Sequence, residues 1–62
     1  MLIKIKENEE RVIFLEANYM LRECEEIDFI IENGTTIKFS LESVEYAKIV
    51  DPINETIYRK EI

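Results

Sequence analysis

The sequence predicts a mainly β fold: a small meander of five or six short strands, curled into a partly open barrel, with one short helix near residues 16–25. Three observations carry this. Apolar residues come in short runs rich in isoleucine, valine, phenylalanine and tyrosine, the residues that suit a pleated surface. Polar segments interrupt those runs at short intervals, and the one glycine and one proline both fall in turn-like contexts. Sixty-two residues fit one domain, taken as residues 1–62, whose core must be thin because so short a chain buries only about 60% of its surface.

The opening Leu2-Ile3-Lys4-Ile5-Lys6 alternates apolar and charged residues, the period of a half-buried strand. Glu7-Asn8-Glu9-Glu10 is a polar turn, and Val12-Ile13-Phe14-Leu15 is a second strand that pairs with the first as a hairpin. In residues 16–26, Ala17, Met20, Leu21 and Cys24 recur at i, i+3, i+4 and i+7, which makes one apolar face of a short helix. The same stretch reads alternatively as a strand with Tyr19 and Leu21 on one face.

The clearest element is the hairpin formed by Ile27–Ile31 and Thr36–Phe39. A two-residue Asn33-Gly34 loop would pair Phe29 with Lys38 and Asp28 with Phe39, mixing core and solvent on each face. A three-residue loop, Glu32-Asn33-Gly34, pairs Phe29 with Ile37 and Ile27 with Phe39, and sets Asp28 opposite Lys38 on the other face. That loop is a type I turn followed by a left-handed residue, which glycine adopts without steric cost. Leu41-Glu42-Ser43 then makes a tight crossover, and Val44–Val50 is a further strand. Asp51-Pro52-Ile53-Asn54 is a turn. Thr56–Arg59 completes the set as a strand, with a C-terminal helix capped by Asp51 and begun by Pro52 as the rival reading.

The Asn-Gly hairpin, Phe39-Ser40-Leu41, the tight crossover and Val44-Glu45-Tyr46-Ala47-Lys48-Ile49 together resemble small SH3-like β-barrels, and the short acidic chain resembles bacteriophage proteins of that kind. The resemblance covers residues 27–50, and the phage-like character implies an inhibitor of a host enzyme. The start, Met1-Leu2-Ile3, is similar to that of the carbon storage regulator family of RNA-binding dimers. Where those dimers rely on basic residues, however, the first turn here carries Glu7, Glu9 and Glu10.

Fourteen acids against eight bases leave a net charge of −6. Direct nucleic-acid binding and a membrane surface are not expected of such a chain, because both call for a basic face. No signal-like or membrane-spanning apolar run is present, and a lone cysteine, Cys24, fits a reducing cytoplasm. Without histidine the commonest general base is missing, and one glycine cannot build a phosphate loop. Cys24 is flanked by Glu23, Glu25 and Glu26, which oppose thiolate formation, and is expected to be buried. No catalysis, metal or cofactor is expected.

What remains is binding. Eleven isoleucines are more than one thin core readily hides, so a homo-oligomer is expected. Phe14, Phe29 and Phe39 read as core. Tyr19, Tyr46 and Tyr58, which pair an apolar ring with a polar tip, join Glu23, Glu25, Glu26 and Asp28 as candidate contacts for a basic protein surface. The favoured function is a non-enzymatic oligomeric module, in the phage setting an inhibitor of a host defence or nucleic-acid enzyme. One alternative is a binder that sequesters a small nucleotide signal at a protomer interface, with Arg11, Arg22, Lys38 or Arg59 on its phosphates. Another is a structural subunit of a larger assembly.

Overall fold

A computed structural model describes residues 1–61 and is mainly β. Seven strands, β1 (Leu2–Asn8), β2 (Arg11–Glu16), β3 (Tyr19–Arg22), β4 (Glu26–Ile30), β5 (Thr36–Ser40), β6 (Tyr46–Asp51) and β7 (Glu55–Arg59), form two antiparallel sheets. The first has the order β2-β1-β6-β7 and the second the order β3-β4-β5. A 3-10 turn at Leu41–Ser43 carries the chain from the second sheet back to the first. The arrangement is a partly open meander rather than a closed barrel, since four strands, β2, β7, β3 and β5, end their sheets.

The alternation read in β1 places Ile3 and Ile5 in the core and turns Lys4 and Lys6 outward. Pairing Ile3 with Ile49 and Ile5 with Ala47 stacks β6 on the same inner face. The second sheet contributes Ile27 and Phe29, and Val44 closes the crossover. Ile3, Ile5, Ile27, Phe29 and Val44 are wholly buried, and each such side chain contributes roughly 1.5–3 kcal/mol. Phe39 meets Phe29 edge to face, with centroids 6.0 Å apart and planes at 70°.

The β4–β5 hairpin has the register argued from side-chain matching: Ile27 faces Phe39, Phe29 faces Ile37 and Asp28 faces Lys38. Its loop is Glu32-Asn33-Gly34. The Gly34 amide donates to the Ile31 carbonyl at 2.9 Å, closing the turn, and Gly34 takes φ +85°. The Asn33 side chain accepts from the Thr35 amide at 2.9 Å, which fixes the exit from the turn. In the first hairpin Asn8 Oδ1 plays the same part, accepting from the amides of Glu10 and Arg11 at 2.8 and 2.9 Å.

Four expectations are corrected: the helix at residues 16–25, the count of five or six strands, the burial of Cys24 and the core placement of Phe14. Residues 16–25 hold no helix. Tyr19–Arg22 is strand β3, paired with β4 from Tyr19↔Ile30 to Arg22↔Ile27, so the strand count is seven. A helix of two or three turns is marginal in water, whereas the unpaired edge of β4 offers a ready ladder. Alternation then sets Tyr19 and Leu21 on one face and Met20 on the other, the strand alternative noted for this stretch. Cys24 follows from that correction: with no helical face to join, it lies exposed in the β3–β4 turn.

Phe14 is 58% exposed rather than core. Every residue of Val12–Leu15 is apolar, so the run does not declare its inner face. Pairing with β1 decides it: Ile5↔Ile13 and Ile3↔Leu15 turn Ile13 and Leu15 inward, and Lys4↔Phe14 turns Phe14 out. The C-terminal segment is a strand and not the rival helix: Glu55–Arg59 pairs with β6, with a register shift between Ala47 and Lys48. Ile62 lies outside the described residues.

Candidate functional site

The outer face of the second sheet gathers the largest share of the sequence-predicted contact residues. On β4, Glu26 and Asp28 are two residues apart and share this face, and Lys38 of β5 lies directly opposite Asp28. Lys38 Nζ reaches Asp28 Oδ2 at 3.2 Å and Glu26 Oε2 at 3.5 Å. On the other side of β4, Leu21 of β3 stands opposite Asp28 and Tyr19 opposite Ile30. Tyr19 and Leu21 are 57% and 44% exposed. Glu23 and Glu25 rim the face from the β3–β4 turn, where the Glu23 amide donates to the Glu26 carbonyl at 2.9 Å.

Asp28 is the unusual member. It is 4% exposed, the one buried charged residue among those described, and its Oδ1 has no hydrogen-bond partner. A buried carboxylate oxygen normally has a donor, because losing water without replacement is costly. Glu26, when it carries a proton, hydrogen-bonds to Asp28, and this together with the ammonium of Lys38 holds the Asp28 carboxyl below its ordinary range. The same Asp28 carboxylate pushes Glu26 up and raises Lys38. With Glu26 ionised, the Asp28 carboxylate has Oδ2 committed to Lys38 and Oδ1 without a partner and closed off from solvent, beneath a face bordered by exposed apolar side chains.

The remaining candidates lie elsewhere. Tyr58 is half-buried against the core and donates its hydroxyl to the Leu41 carbonyl at 3.3 Å, with the Arg22 guanidinium 5.2 Å from its ring. Those two residues, with Cys24, Glu25, Ser40, Leu41 and Glu42, line an open cavity of about 350 Å³. Tyr46 sits on the outer face of the first sheet under three cations: Arg59 at 5.0 Å, Lys4 at 5.7 Å and Lys6 at 6.0 Å from the ring centre. Arg11 is ion-paired with Glu7 at 3.1 Å. The four cations considered for a phosphate therefore have four separate attachments: Arg11 to Glu7, Arg22 to Tyr58, Lys38 to the acid pair and Arg59 to Tyr46.

Sequence reasoning did not single out Lys4, Lys6 or Leu21 as contacts, and it read Phe14 as core. The signal for Leu21 was the strand reading of residues 19–22. For Lys4 and Phe14 it was the first hairpin, once its register is known. Among the described residues no helix is long and apolar enough to cross a membrane, and no group of three or more Cys, Asp or Glu residues is placed to hold a metal ion. Compared with protein families, curated proteins and solved structures, the chain matches none.

Proposed function

We propose that this protein is a non-enzymatic docking module whose outer β3-β4-β5 face seats a basic protein surface. The observation that carries the reading is the buried Asp28 carboxylate with a free Oδ1, beside exposed Leu21 and Tyr19. An arginine from a partner would displace the exposed Lys38 ammonium from Asp28, reach the carboxylate bidentately and so supply the missing donor, and its aliphatic stem would cover Leu21. Glu23, Glu25 and Glu26 at the rim would steer a basic surface toward the face without adding much to affinity. A module of this kind can occupy the basic nucleic-acid site of an enzyme, the inhibitor role implied by the resemblance to phage proteins.

The test is a titration of labelled protein with an arginine-rich peptide, read residue by residue by NMR. Shifts should centre on Leu21, Asp28 and Lys38. Asp28→Asn should lose tenfold or more in affinity at physiological salt, whereas Glu23→Gln and Glu25→Gln should mainly flatten the salt dependence. Binding that Asp28→Asn leaves intact, with shifts spread over all acidic segments, would reduce the interaction to diffuse charge attraction and refute the site.

A further inference from the structure

The first sheet ends in a strand that is apolar on both faces. Along β2, Val12 and Phe14 point outward and are 41% and 58% exposed, while Ile13 and Leu15 face inward and are half-buried. Residues 12–15 carry no charge in a chain where 35% of residues are charged. Natural sheets ordinarily protect an edge of this kind with lysine, proline or an inward charge.

The direction of the backbone groups on this edge follows from one pair of hydrogen bonds. The Ala17 amide donates to the Met1 carbonyl at 2.9 Å, and the Met1 amine donates to the Ala17 carbonyl at 2.8 Å. Met1 and Ala17 thus continue the β1–β2 register as a hydrogen-bonded pair. In an antiparallel ladder such pairs alternate with non-bonded ones, so Leu15 and Ile13 bond to β1 as Ala17 does. The N–H and C=O groups of Val12, Phe14 and Glu16 therefore point away from β1, where β2 has no neighbouring strand.

We propose that this edge pairs with a second copy of itself, β2 against β2 and antiparallel, about a two-fold axis at Phe14. That register sets Phe14 opposite Phe14 of the second copy and Val12 opposite Glu16. It places Ile13 opposite Leu15 on the inner face, so each half-buried side chain gains an apolar cover. All three outward residues of each copy then find partners, for six backbone hydrogen bonds. A register shifted by two residues, with Ile13 on the axis, pairs Val12 with Phe14 and leaves Glu16 facing the turn, where Glu10 lies.

Charge selects the segment at which a second copy can sit. Two copies of a chain with net charge −6 repel, and the stretch from Val12 to Leu15 is where they meet without opposed carboxylates. The two first sheets would form one continuous eight-stranded sheet, and the proposed docking face, on the other sheet of each copy, would remain free.

Sedimentation velocity and amide hydrogen exchange on the untagged protein test this together. The expected species has twice the 7.4 kDa chain mass at micromolar concentration. The amides of Val12, Phe14 and Glu16 should exchange tenfold or more slowly in the dimer than on dilution. Phe14→Glu places a charge on an already exposed position opposite Lys4, and Val12→Pro removes an N–H that β1 does not use. Both should sediment as monomers with unchanged far-ultraviolet circular dichroism. If either variant fails to fold, the exchange pattern of the wild type still decides. A monomer at several hundred micromolar would overturn the proposal, as would a dimer whose three edge amides exchange freely at every concentration. Protection that arises only when a different protein is added would also overturn it, because the strand would then receive a foreign partner.

Discussion

Replacing Gly34 isolates one backbone angle. Gly34 holds φ +85° at the end of the Glu32-Asn33-Gly34 loop, and a Cβ added there would meet no atom within 4 Å. Any loss on substitution is therefore the cost of positive φ and not of a collision. That cost is roughly 1–2 kcal/mol for an ordinary residue and about 1–3 kcal/mol for a β-branched one. Asparagine, which tolerates this region, should stay below about 1 kcal/mol. For a domain near 60 residues, 1 kcal/mol moves the melting temperature by about 8 °C. Gly34→Val should then melt about 10–20 °C below the wild type and Gly34→Asn only a few degrees below. Thermal melts followed by circular dichroism at one protein concentration measure both. If valine and asparagine melt together, within error of the wild type, the loop does not need a left-handed residue and the register argument for residues 27–39 fails.

Phe29→Ala, which empties the largest wholly buried side chain, should cost about 3–5 kcal/mol, enough to unfold much of the population at 37 °C. Cys24 is exposed, so a thiol reagent should label the native protein as fast as the unfolded one, and Cys24→Ser should leave the melt unchanged. The acid pair and Lys38 each make stability depend on pH. Asp28, held below its usual value near 3.8, contributes stability that is present above that pH and lost as pH falls through its folded value. Glu26, pushed above its usual 4.5, opposes this by favouring the fold as it takes up its proton. Lys38, raised above 10.5, contributes stability present below that pH and lost as pH rises through its folded value. Urea melts against pH should show a smaller alkaline loss in Lys38→Met than in the wild type, the remainder belonging to Lys6, which Glu9 and Glu45 also raise. The same variant should be destabilised at neutral pH, since it leaves Asp28 ionised and buried without its cation.

The local pattern of side chains determined much of this protein without help from the fold. Ile3 and Ile5 alternate with Lys4 and Lys6, so β1 declares its inner face. The Asp28–Lys38 match and the lone glycine settled the loop of the second hairpin down to the residue, because only one register separates apolar from charged partners. The absence of histidine, a glycine-rich loop or a second cysteine is equally a property of the chain. Tertiary structure decided the places where the pattern was degenerate. In Val12–Leu15 all four residues are apolar, so the inner face was chosen by the neighbour β1, and Phe14 went to solvent. In residues 17–24 the helical and the strand periods both fit, and the open edge of β4 selected the strand by offering hydrogen bonds that an isolated short helix could not match. The candidate site divides in the same way. Its acids and Tyr19 were visible in the sequence, but the burial of Asp28, the contribution of Leu21 and the distance of Tyr46 and Tyr58 from that face depend on which strands lie side by side. That is a long-range property, set by the packing of two sheets rather than by any residue's neighbours along the chain.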